Sequence, residues 1–503
     1  MSALGALLMV LAWTGYEGIL RWEFLVLSMV FIGGGIVIYS WQTYRHKPPG
    51  IKNNGVWFSS LTNRALWGWL LGIFLTGFYI ILYWFPSYLG YHESGNTGLV
   101  RFFDPLSFTL KGSAASQWFV YGCMYTAAIV FFGFKFILKY RHSRYQIWRT
   151  CSVMFFQFGF AFLIPEFLLR LNYPYNDLKN MWPLNHYFFD DSNLTGLIDS
   201  GNVGLFMLIF GILMIFIISP VLTYLYGKRW YCSWVCGCGG LAETAGDPFR
   251  HLSDKSLKSW KIERWLVHAV LLFSIVMTIA VLYGFFYDNP EGFWITKTMF
   301  LLFLVILFFA GMIILYLGKR RRINMERRAF RIAIGFMLGV LILIFTTFYL
   351  GQSDFFFVDN YLWRSWYGFF IGAIFSGVIG VGFYPLMGSR VWCRFGCPMA
   401  AILGVQQRFF SRFRITTNGG QCISCGNCST YCEMGIDVRA YAQKGQNIVR
   451  ASCVGCGICA AVCPRGVLRL ENGSVDLSVR TEERKKTILP KLPPRQLFLK
   501  SPL

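Results

Sequence analysis

Nine long apolar runs constrain the fold more than any other feature of this sequence. A helix needs about 20 apolar residues to cross a hydrocarbon core of about 30 Å. Runs of that length lie near residues 22–41, 65–87, 117–138, 150–169, 203–226, 265–286, 294–317, 332–350 and 366–387. With 55% hydrophobic and only 14% charged residues, the chain cannot form a soluble globule with a polar coat. We therefore predict an α-helical multi-pass membrane protein with nine or ten transmembrane helices.

The tenth candidate span covers residues 2–20. Its apolar stretch is short and contains Glu17, so it could equally form an interfacial helix or an uncleaved targeting segment.

The connecting loops predict the orientation of the spans. The loops 42–64, 139–149, 227–264 and 318–331 carry 22 Lys and Arg residues, whereas the alternating loops 88–116, 170–202, 287–297 and 351–365 carry 6. Basic loops usually face the cytoplasm, so we expect the first set to be cytoplasmic and the second set to be external. Topology and contact with anionic membrane lipid then explain much of the net charge of +23. No separate basic face remains for nucleic acid.

Two cysteine-rich stretches near the C-terminus carry the strongest chemical signal. They read CISCGNCSTYC at 422–432 and CVGCGICAAVCP at 453–464. Each has the CxxCxxCxxxC spacing by which bacterial ferredoxins bind [4Fe-4S] clusters, and the fourth cysteine of each run ligates the other cluster. This rule predicts a first cluster on Cys422, Cys425, Cys428 and Cys463. It predicts a second cluster on Cys453, Cys456, Cys459 and Cys432.

The competing interpretation of these stretches is a pair of zinc sites. Zinc would use two CxxC pairs and would not require the third and fourth cysteines at these offsets. On the reducing cytoplasmic side, disulfides are a poor explanation for so many cysteines. The first run has Glu433 where proline usually follows the fourth cysteine, a departure that affects the turn after the ligand and not the ligand itself.

A second pair of motifs repeats inside the chain. YGKRWYCSWVCGCGG at 226–240 and MGSRVWCRFGCPMA at 387–400 align without gaps at an offset of 161 residues. Each copy follows a predicted outside-to-inside span, which indicates a parallel repeat about an axis along the membrane normal. If a helix runs through each motif, the two thiols of CxxxC lie one turn apart on one face. The repeat therefore predicts a third metal or redox site at the membrane surface, formed by Cys232, Cys236, Cys393 and Cys397.

Three interpretations of this third site stay open. The four thiols could bind a metal ion or a cluster, could form redox-active pairs or bind copper transiently, or could pack as small hydrophobic side chains. Cys238 lies outside the repeat and has no assigned role.

These features divide the chain into four parts. Residues 1–200 form N-terminal transmembrane helices with two long external loops, and residues 201–400 form the transmembrane core with the duplicated CxxxC motifs. Residues 401–470 form a small α+β ferredoxin domain of the bacterial 2[4Fe-4S] type. Residues 471–503 form a basic, proline-containing C-terminal tail.

The two CxxxC motifs, followed by a double CxxCxxCxxxC domain with CEMGIDVRAY at 432–441, resemble the membrane polyferredoxins of the NapH, NosR and CcoG type. The resemblance extends from about 203 to 470. Cys393 to Pro398 matches the CxxxCP element of that family, whereas the first copy has Gly237 in place of the proline. No counterpart of the extracytoplasmic flavin domain of NosR-like members precedes the spans in this sequence.

The resemblance implies a bacterial cytoplasmic (inner) membrane protein with its ferredoxin domain and C-terminus in the cytoplasm. It implies electron relay between a cytoplasmic or quinone-linked donor and a respiratory partner, as an electron-transfer component of an oxidoreductase rather than as a stand-alone enzyme. One alternative is a CcoG-like copper reductase or oxidase-assembly factor with copper at the CxxxC pairs. Another is a structural electron-wire subunit of a larger complex. No CxxCH motif for haem c, no P-loop and no dinucleotide-binding GxGxxG motif occurs.

Overall fold

The structure is a computed structural model that describes residues 1–51, 62, 64–289, 295–320, 327–350 and 358–473. The predicted tail at 471–503 lies outside the described residues from 474 onward. Within the described ranges the chain is mostly helical, with one small two-stranded sheet near the C-terminus.

Seven of the predicted runs form helices that are long and apolar enough to cross a membrane. They are Trp22–Tyr44, Leu66–Trp84, Gln117–Lys139, Arg144–Arg170, Gly201–Tyr226, Leu257–Asp288 and Phe330–Leu350. Hydroxyl side chains cap two of them: Ser116 accepts a hydrogen bond from Phe119 N, and Ser256 accepts one from Ser259 N.

The other three predicted segments differ from a simple span. Residues 294–317 correspond to the helix Lys297–Arg320, and residues 2–20 contain the short helix Ser2–Trp13, which packs on Trp22–Tyr44. The run 366–387 is interrupted: a π-helical segment Gly368–Ile379 ends in a turn before Tyr384–Met387. The sequence GVGFYP at 380–385 explains this break, because glycine lowers helix stability and Pro385 cannot donate a backbone hydrogen bond.

Two of the long helices contain π-helical turns directly before a proline. The turn Phe156–Leu163 precedes Pro165, and the turn Met214–Ile218 precedes Pro220. Proline removes one backbone donor and crowds the preceding turn, and a widened turn accommodates both effects without ending the helix.

Shorter elements connect these helices. The remaining α-helices are Gly98–Lys111, Asp191–Asp199, Arg229–Cys232, Gly237–Thr244, Asn360–Tyr367 and Pro398–Phe410, with Asn427–Thr430, Val438–Gln443 and Ile458–Ala461 in the ferredoxin unit. A π-helical turn covers Trp392–Gly396, and 3₁₀ turns cover Glu17–Ile19, Pro86–Leu89, Asp247–Leu252 and Gly419–Gln421.

The C-terminal part forms a compact ferredoxin unit against the helix bundle. Strand Phe413–Thr417 pairs antiparallel with strand Leu468–Asn472, and Phe413 lies opposite Asn472. The two strands flank the two cysteine motifs in the sequence, and each motif contains a one-turn helix. One hydrophobic core extends from the cysteines of the bundle to this unit, so the ferredoxin unit is packed on the bundle and not tethered beside it.

Candidate iron–sulfur centres

The first cysteine motif of the ferredoxin unit folds around a cavity near the protein surface. Gly426, with a φ of 81°, turns the chain into the helix Asn427–Thr430, a backbone conformation that favours glycine. Cys425 is exposed, so one side of this cavity faces solvent. The cavity, which we call the first ferredoxin centre, is lined by the predicted set Cys422, Cys425, Cys428 and Cys463.

A second cavity lies between the first and the helix bundle. Gly457, with a φ of 75°, starts the helix Ile458–Ala461 as Gly426 does in the first motif. A Cβ atom on Gly455 would lie 2.6 Å from the side chain of Arg229, so the bundle closes this side. This second ferredoxin centre is lined by the other predicted set, Cys432, Cys453, Cys456 and Cys459.

The chemistry of these cavities fits an iron–sulfur cluster. Backbone N–H groups of Gly455 and Ile458 donate hydrogen bonds to the sulfurs of Cys453 and Cys456, which stabilises negative charge on sulfur. Burial raises the pKa of Cys456 to about 12, so its thiol stays protonated at neutral pH until a metal displaces the proton. The cysteines thus have the donors and the surroundings of buried thiolate ligands.

A site for one metal ion brings three or four donor atoms close together. Sulfurs around one tetrahedral zinc ion, with bonds of about 2.3 Å, lie about 3.8 Å apart. Among the described residues, one group of three or more Cys, His, Asp or Glu side chains has its donor atoms within 4.8 Å of one another, and it consists of Glu243, Glu433 and Cys456. The predicted cysteine sets do not form such a group among the described residues.

The CxxxC motifs do not lie on continuous helices, contrary to the i and i+4 arrangement that the sequence suggested. Cys232 ends the helix Arg229–Cys232, and Cys236 is the extended residue before Gly237–Thr244. In the second copy, Cys397 follows a π-helical turn and caps the helix Pro398–Phe410, where its sulfur accepts a hydrogen bond from Ala400 N. Proline at the first helical position favours this break, because it cannot continue the preceding helix.

The four cysteines nevertheless converge, as the repeat predicted. All four are buried in one core, and Cys397 interacts electrostatically with the other three. We call this set, Cys232, Cys236, Cys393 and Cys397, the bundle centre. Cys238 adds a side-chain hydrogen bond to Cys236 and so lies beside the centre.

The bundle centre lies inside the helix bundle and not at its rim. A Cβ atom on Gly237 would lie 2.3 Å from Oε1 of Gln157, which is near the middle of Arg144–Arg170. A Cβ atom on Gly396 would lie 3.0 Å from the ring of Phe375 in Gly368–Ile379. Both motifs, which follow apolar runs in the sequence, fold back between the helices.

The segment 171–190, predicted as part of an external loop, also enters the bundle. Asp190 pairs with Arg364 at 2.5 Å, whereas Lys179 Nζ lies 3.3 Å from the Cβ position of Gly237, beside the bundle centre. Met181 belongs to the same core as Cys232. The acidic and aromatic composition of this loop gave no sign of the re-entry.

A network of buried ion pairs connects the bundle centre with the second ferredoxin centre. Arg390 contacts Cys393 Sγ at 3.5 Å and pairs with Glu243 at 2.5 Å and with Glu433 at 3.0 Å. Glu433 in turn lies against Cys456. Burial alone would raise the pKa of Glu433, but Arg250 and Arg390 hold it below its usual value. The carboxylate is therefore charged at neutral pH.

The same network continues to the end of the helix Gln117–Lys139. Arg250 pairs with Glu433 at 2.6 Å and with Asp247 at 2.9 Å, and Lys139 pairs with Asp247 at 2.6 Å. Burial opposes ionisation of Asp247, yet Lys139 and Arg250 lower its pKa to about 2. Arg149 pairs with Glu243. Sequence analysis missed this network except for one signal, the unusual Glu433.

The two remaining cysteines lie away from the centres. Cys123 is buried in a separate core formed by the N-terminal helices, and Cys151 is exposed on Arg144–Phe155.

Family models match the chain at these motifs. The model of a 4Fe-4S dicluster domain matches residues 421–468, and the model of a 4Fe-4S binding domain matches twice, at residues 208–256 and 367–416. The two matches of the second model contain the two copies of the CxxxC repeat. Comparison with curated proteins and with solved structures found no match. The 4Fe-4S ferredoxin-type domains, together with the helices, support an iron–sulfur polyferredoxin with a role in electron transport.

Proposed function

We propose that the protein is a membrane-bound electron relay that holds three iron–sulfur clusters in a row. The observation that carries this proposal is the graded burial of the three cysteine sets along one continuous core. Bound clusters would supply one-electron transfer. The chain would supply the spacing, the insulation from water and the charges around each cluster.

The contact between the two ferredoxin centres supports the first step of the row. Cys428 of the first set and Cys459 of the second set interact electrostatically, and both are buried. The exchange of the fourth cysteines, Cys432 and Cys463, ties the two centres into one rigid unit. The exposed Cys425 favours exchange of electrons with a protein partner on this side.

A short hydrogen-bonded connection supports the second step. Ser233 follows Cys232 in the bundle centre, and its hydroxyl donates to the carbonyl oxygen of Val454 at 2.9 Å. Val454 follows Cys453 of the second ferredoxin centre. One hydrogen bond thus joins the side chain of the residue after one ligand to the backbone of the residue after the other. Gln407 Nε2 also donates to Cys453 O at 2.8 Å and holds the two parts together.

The position of the bundle centre favours a lipid-soluble electron carrier on the other side. Quinones diffuse in the membrane interior, and the bundle centre lies among helices that are apolar enough to span it. We therefore propose nine spans in the bacterial cytoplasmic membrane, a cytoplasmic ferredoxin unit and a quinone or a respiratory complex as the membrane-side partner.

The copper-handling alternative keeps the same four cysteines, with copper bound by the CxxxC pairs. Metal analysis separates the two: the relay predicts about twelve iron atoms per chain, four for each of three [4Fe-4S] clusters, and no copper. Copper bound in proportion to Cys232 and Cys393 would support the alternative.

The test of the relay uses protein purified without oxygen and three cysteine variants. Cys397→Ala should lose about four iron atoms, keep the electron paramagnetic resonance (EPR) signals of both ferredoxin centres and stop electron flow between a quinol and a soluble acceptor. Cys425→Ser should lose iron from the first ferredoxin centre and destabilise the second. Cys151→Ser, which changes a cysteine outside every set, should behave as the unmodified protein. Full iron content in Cys397→Ala would remove the third cluster from the proposal.

A further inference from the structure

Arg390 contacts the bundle centre and lies within electrostatic range of the second ferredoxin centre. Its guanidinium group donates to the backbone oxygen of Cys232 at 3.2 Å and lies 3.5 Å from Cys393 Sγ. It also interacts electrostatically with Cys456 in the second ferredoxin centre. The side chain is 0% exposed, so water does not screen these interactions.

Lys228 is a second buried cation that interacts with the same two centres. The residue is 1% exposed, its backbone N–H donates to Gln407 Oε1 at 2.8 Å, and its Nζ faces Ala400 O at 3.5 Å. The ammonium group interacts electrostatically with Cys232 of the bundle centre and with Cys453 of the second ferredoxin centre. Each centre therefore has one ligand that interacts electrostatically with Lys228 and another that interacts electrostatically with Arg390.

The repeat explains why the buried cation is a lysine in the first copy of the motif and an arginine in the second. At the 161-residue offset, Arg390 corresponds to Arg229, and Lys228 corresponds to Ser389. Arg229 turns away and lies over the ring of Phe413 at 4.7 Å, so the preceding Lys228 takes the inner position in the first copy. A cation beside the bundle centre is thus present in both copies although the alignment does not conserve its position.

The charge balance of this interface is positive before any cluster is considered. Lys139, Lys228, Arg149, Arg250 and Arg390 provide five cations, and they face the three carboxylates of Glu243, Glu433 and Asp247. Clusters with four thiolate ligands are negatively charged and gain a further negative charge on reduction. A buried cation between two such groups lowers the free-energy cost of placing an electron on either one.

We propose that Lys228 and Arg390 form a cation bridge that raises the reduction potentials of the bundle centre and the second ferredoxin centre together, so that both centres can be reduced at the same time. This inference rests on the proposed function and adds two residues that set the reduction potentials of the inner clusters. An electron that arrives at one centre then does not have to wait until the neighbouring centre is oxidised.

The test measures reduction potentials by EPR during redox titration of the full-length protein. Arg390→Gln should lower the potentials of both inner centres, each by about tenfold in the reduction equilibrium, which is about 59 mV for one electron. Lys228→Gln should act in the same direction on both. The first ferredoxin centre should change much less. Arg390→Lys, which keeps the charge, should retain potentials close to those of the unmodified protein.

Arg394→Gln is the matched control. Arg394 is a buried arginine of the same motif, but it pairs with Glu263 at 2.7 Å. Its removal should shift the two inner potentials much less than Arg390→Gln does. Equal shifts in Arg394→Gln and Arg390→Gln, or a shift of only one inner centre, would overturn the cation bridge. If Arg390→Gln does not fold, Lys228→Gln and Arg390→Lys decide the question.

The bridge and the proposed function fail in different ways. Absence of a third EPR-active centre in the unmodified protein would refute the three-cluster relay. Three titrating centres whose potentials do not respond to Lys228→Gln or to Arg390→Gln would leave the relay intact and refute the bridge.

Discussion

Glu433 provides the sharpest test of how the ferredoxin unit is held on the bundle. The residue stands where ferredoxin motifs usually have proline, and it pairs with two buried arginines at 2.6 and 3.0 Å. Removing one partner of a buried ion pair costs about 3–5 kcal/mol, because it leaves an uncompensated charge. After the loss of Glu433, Arg250 still pairs with Asp247 at 2.9 Å and Arg390 still pairs with Glu243 at 2.5 Å. The cost therefore lies at the lower end of this range. We expect Glu433→Pro to destabilise the docked state by about 3 kcal/mol.

This loss corresponds to an opening of the interface that is about a hundredfold more frequent. Hydrogen exchange measured by mass spectrometry should show it as faster exchange of residues 453–459, with a smaller change at 422–428, which face away from the bundle. Lys444→Gln, at an exposed lysine that follows the helix Val438–Gln443, is the control and should exchange as the unmodified protein does. Unchanged exchange at 453–459 in Glu433→Pro would refute the view that these ion pairs hold the interface closed.

Three further predictions address the connection between the centres, the acid stability and the topology. Ser233→Ala removes the hydrogen bond to Val454 and should slow electron transfer between the inner centres several-fold, measured by rapid-mixing kinetics. It should also cost about 1 kcal/mol of interface stability, measured by hydrogen exchange. Unchanged kinetics would refute the connection. The pKa of Asp247 is about 2, below the value of about 3.9 in an unfolded chain, so its ion pairs stabilise the fold fully above about pH 4 and lose their effect as the pH falls towards 2. Asp247→Asn should therefore unfold more easily at neutral pH in thermal melts and should lack this acid-dependent loss. Reporter domains fused after residue 230 or 415 should be cytoplasmic and one fused at 190 should be external; the opposite result would reverse the proposed orientation.

Most of the helices and both ferredoxin sets could be predicted because each depends on local pattern. Span length is fixed by the bilayer, and CxxCxxCxxxC spacing is fixed by cluster geometry. The break in 366–387 was missed because hydropathy averages over glycine and proline. The contact of the CxxxC motifs with the middle of neighbouring helices was missed because it depends on motifs that fold back between helices, and no local pattern encodes that contact.

The loop cations show a second limit of sequence analysis. Arg149, Lys228 and Arg250 were counted as basic loop residues that would face lipid headgroups and water. In the structure all three are buried at the interface with the ferredoxin unit, and Arg149 and Arg250 form ion pairs there. A charge count gives the side of the membrane on which a loop lies, but it cannot separate solvated cations from those enclosed by a docked domain.

The unequal exposure of the two ferredoxin centres has a consequence for damage and repair. Cys425 is open to solvent, whereas Gly455 beside the second centre is covered by Arg229 of the bundle. Oxygen, peroxide or a chelator in the surrounding water reaches the outer sulfurs first. Injury therefore begins at the outer cluster, while the inner centres stay shielded from water as long as the ferredoxin unit remains packed on the bundle.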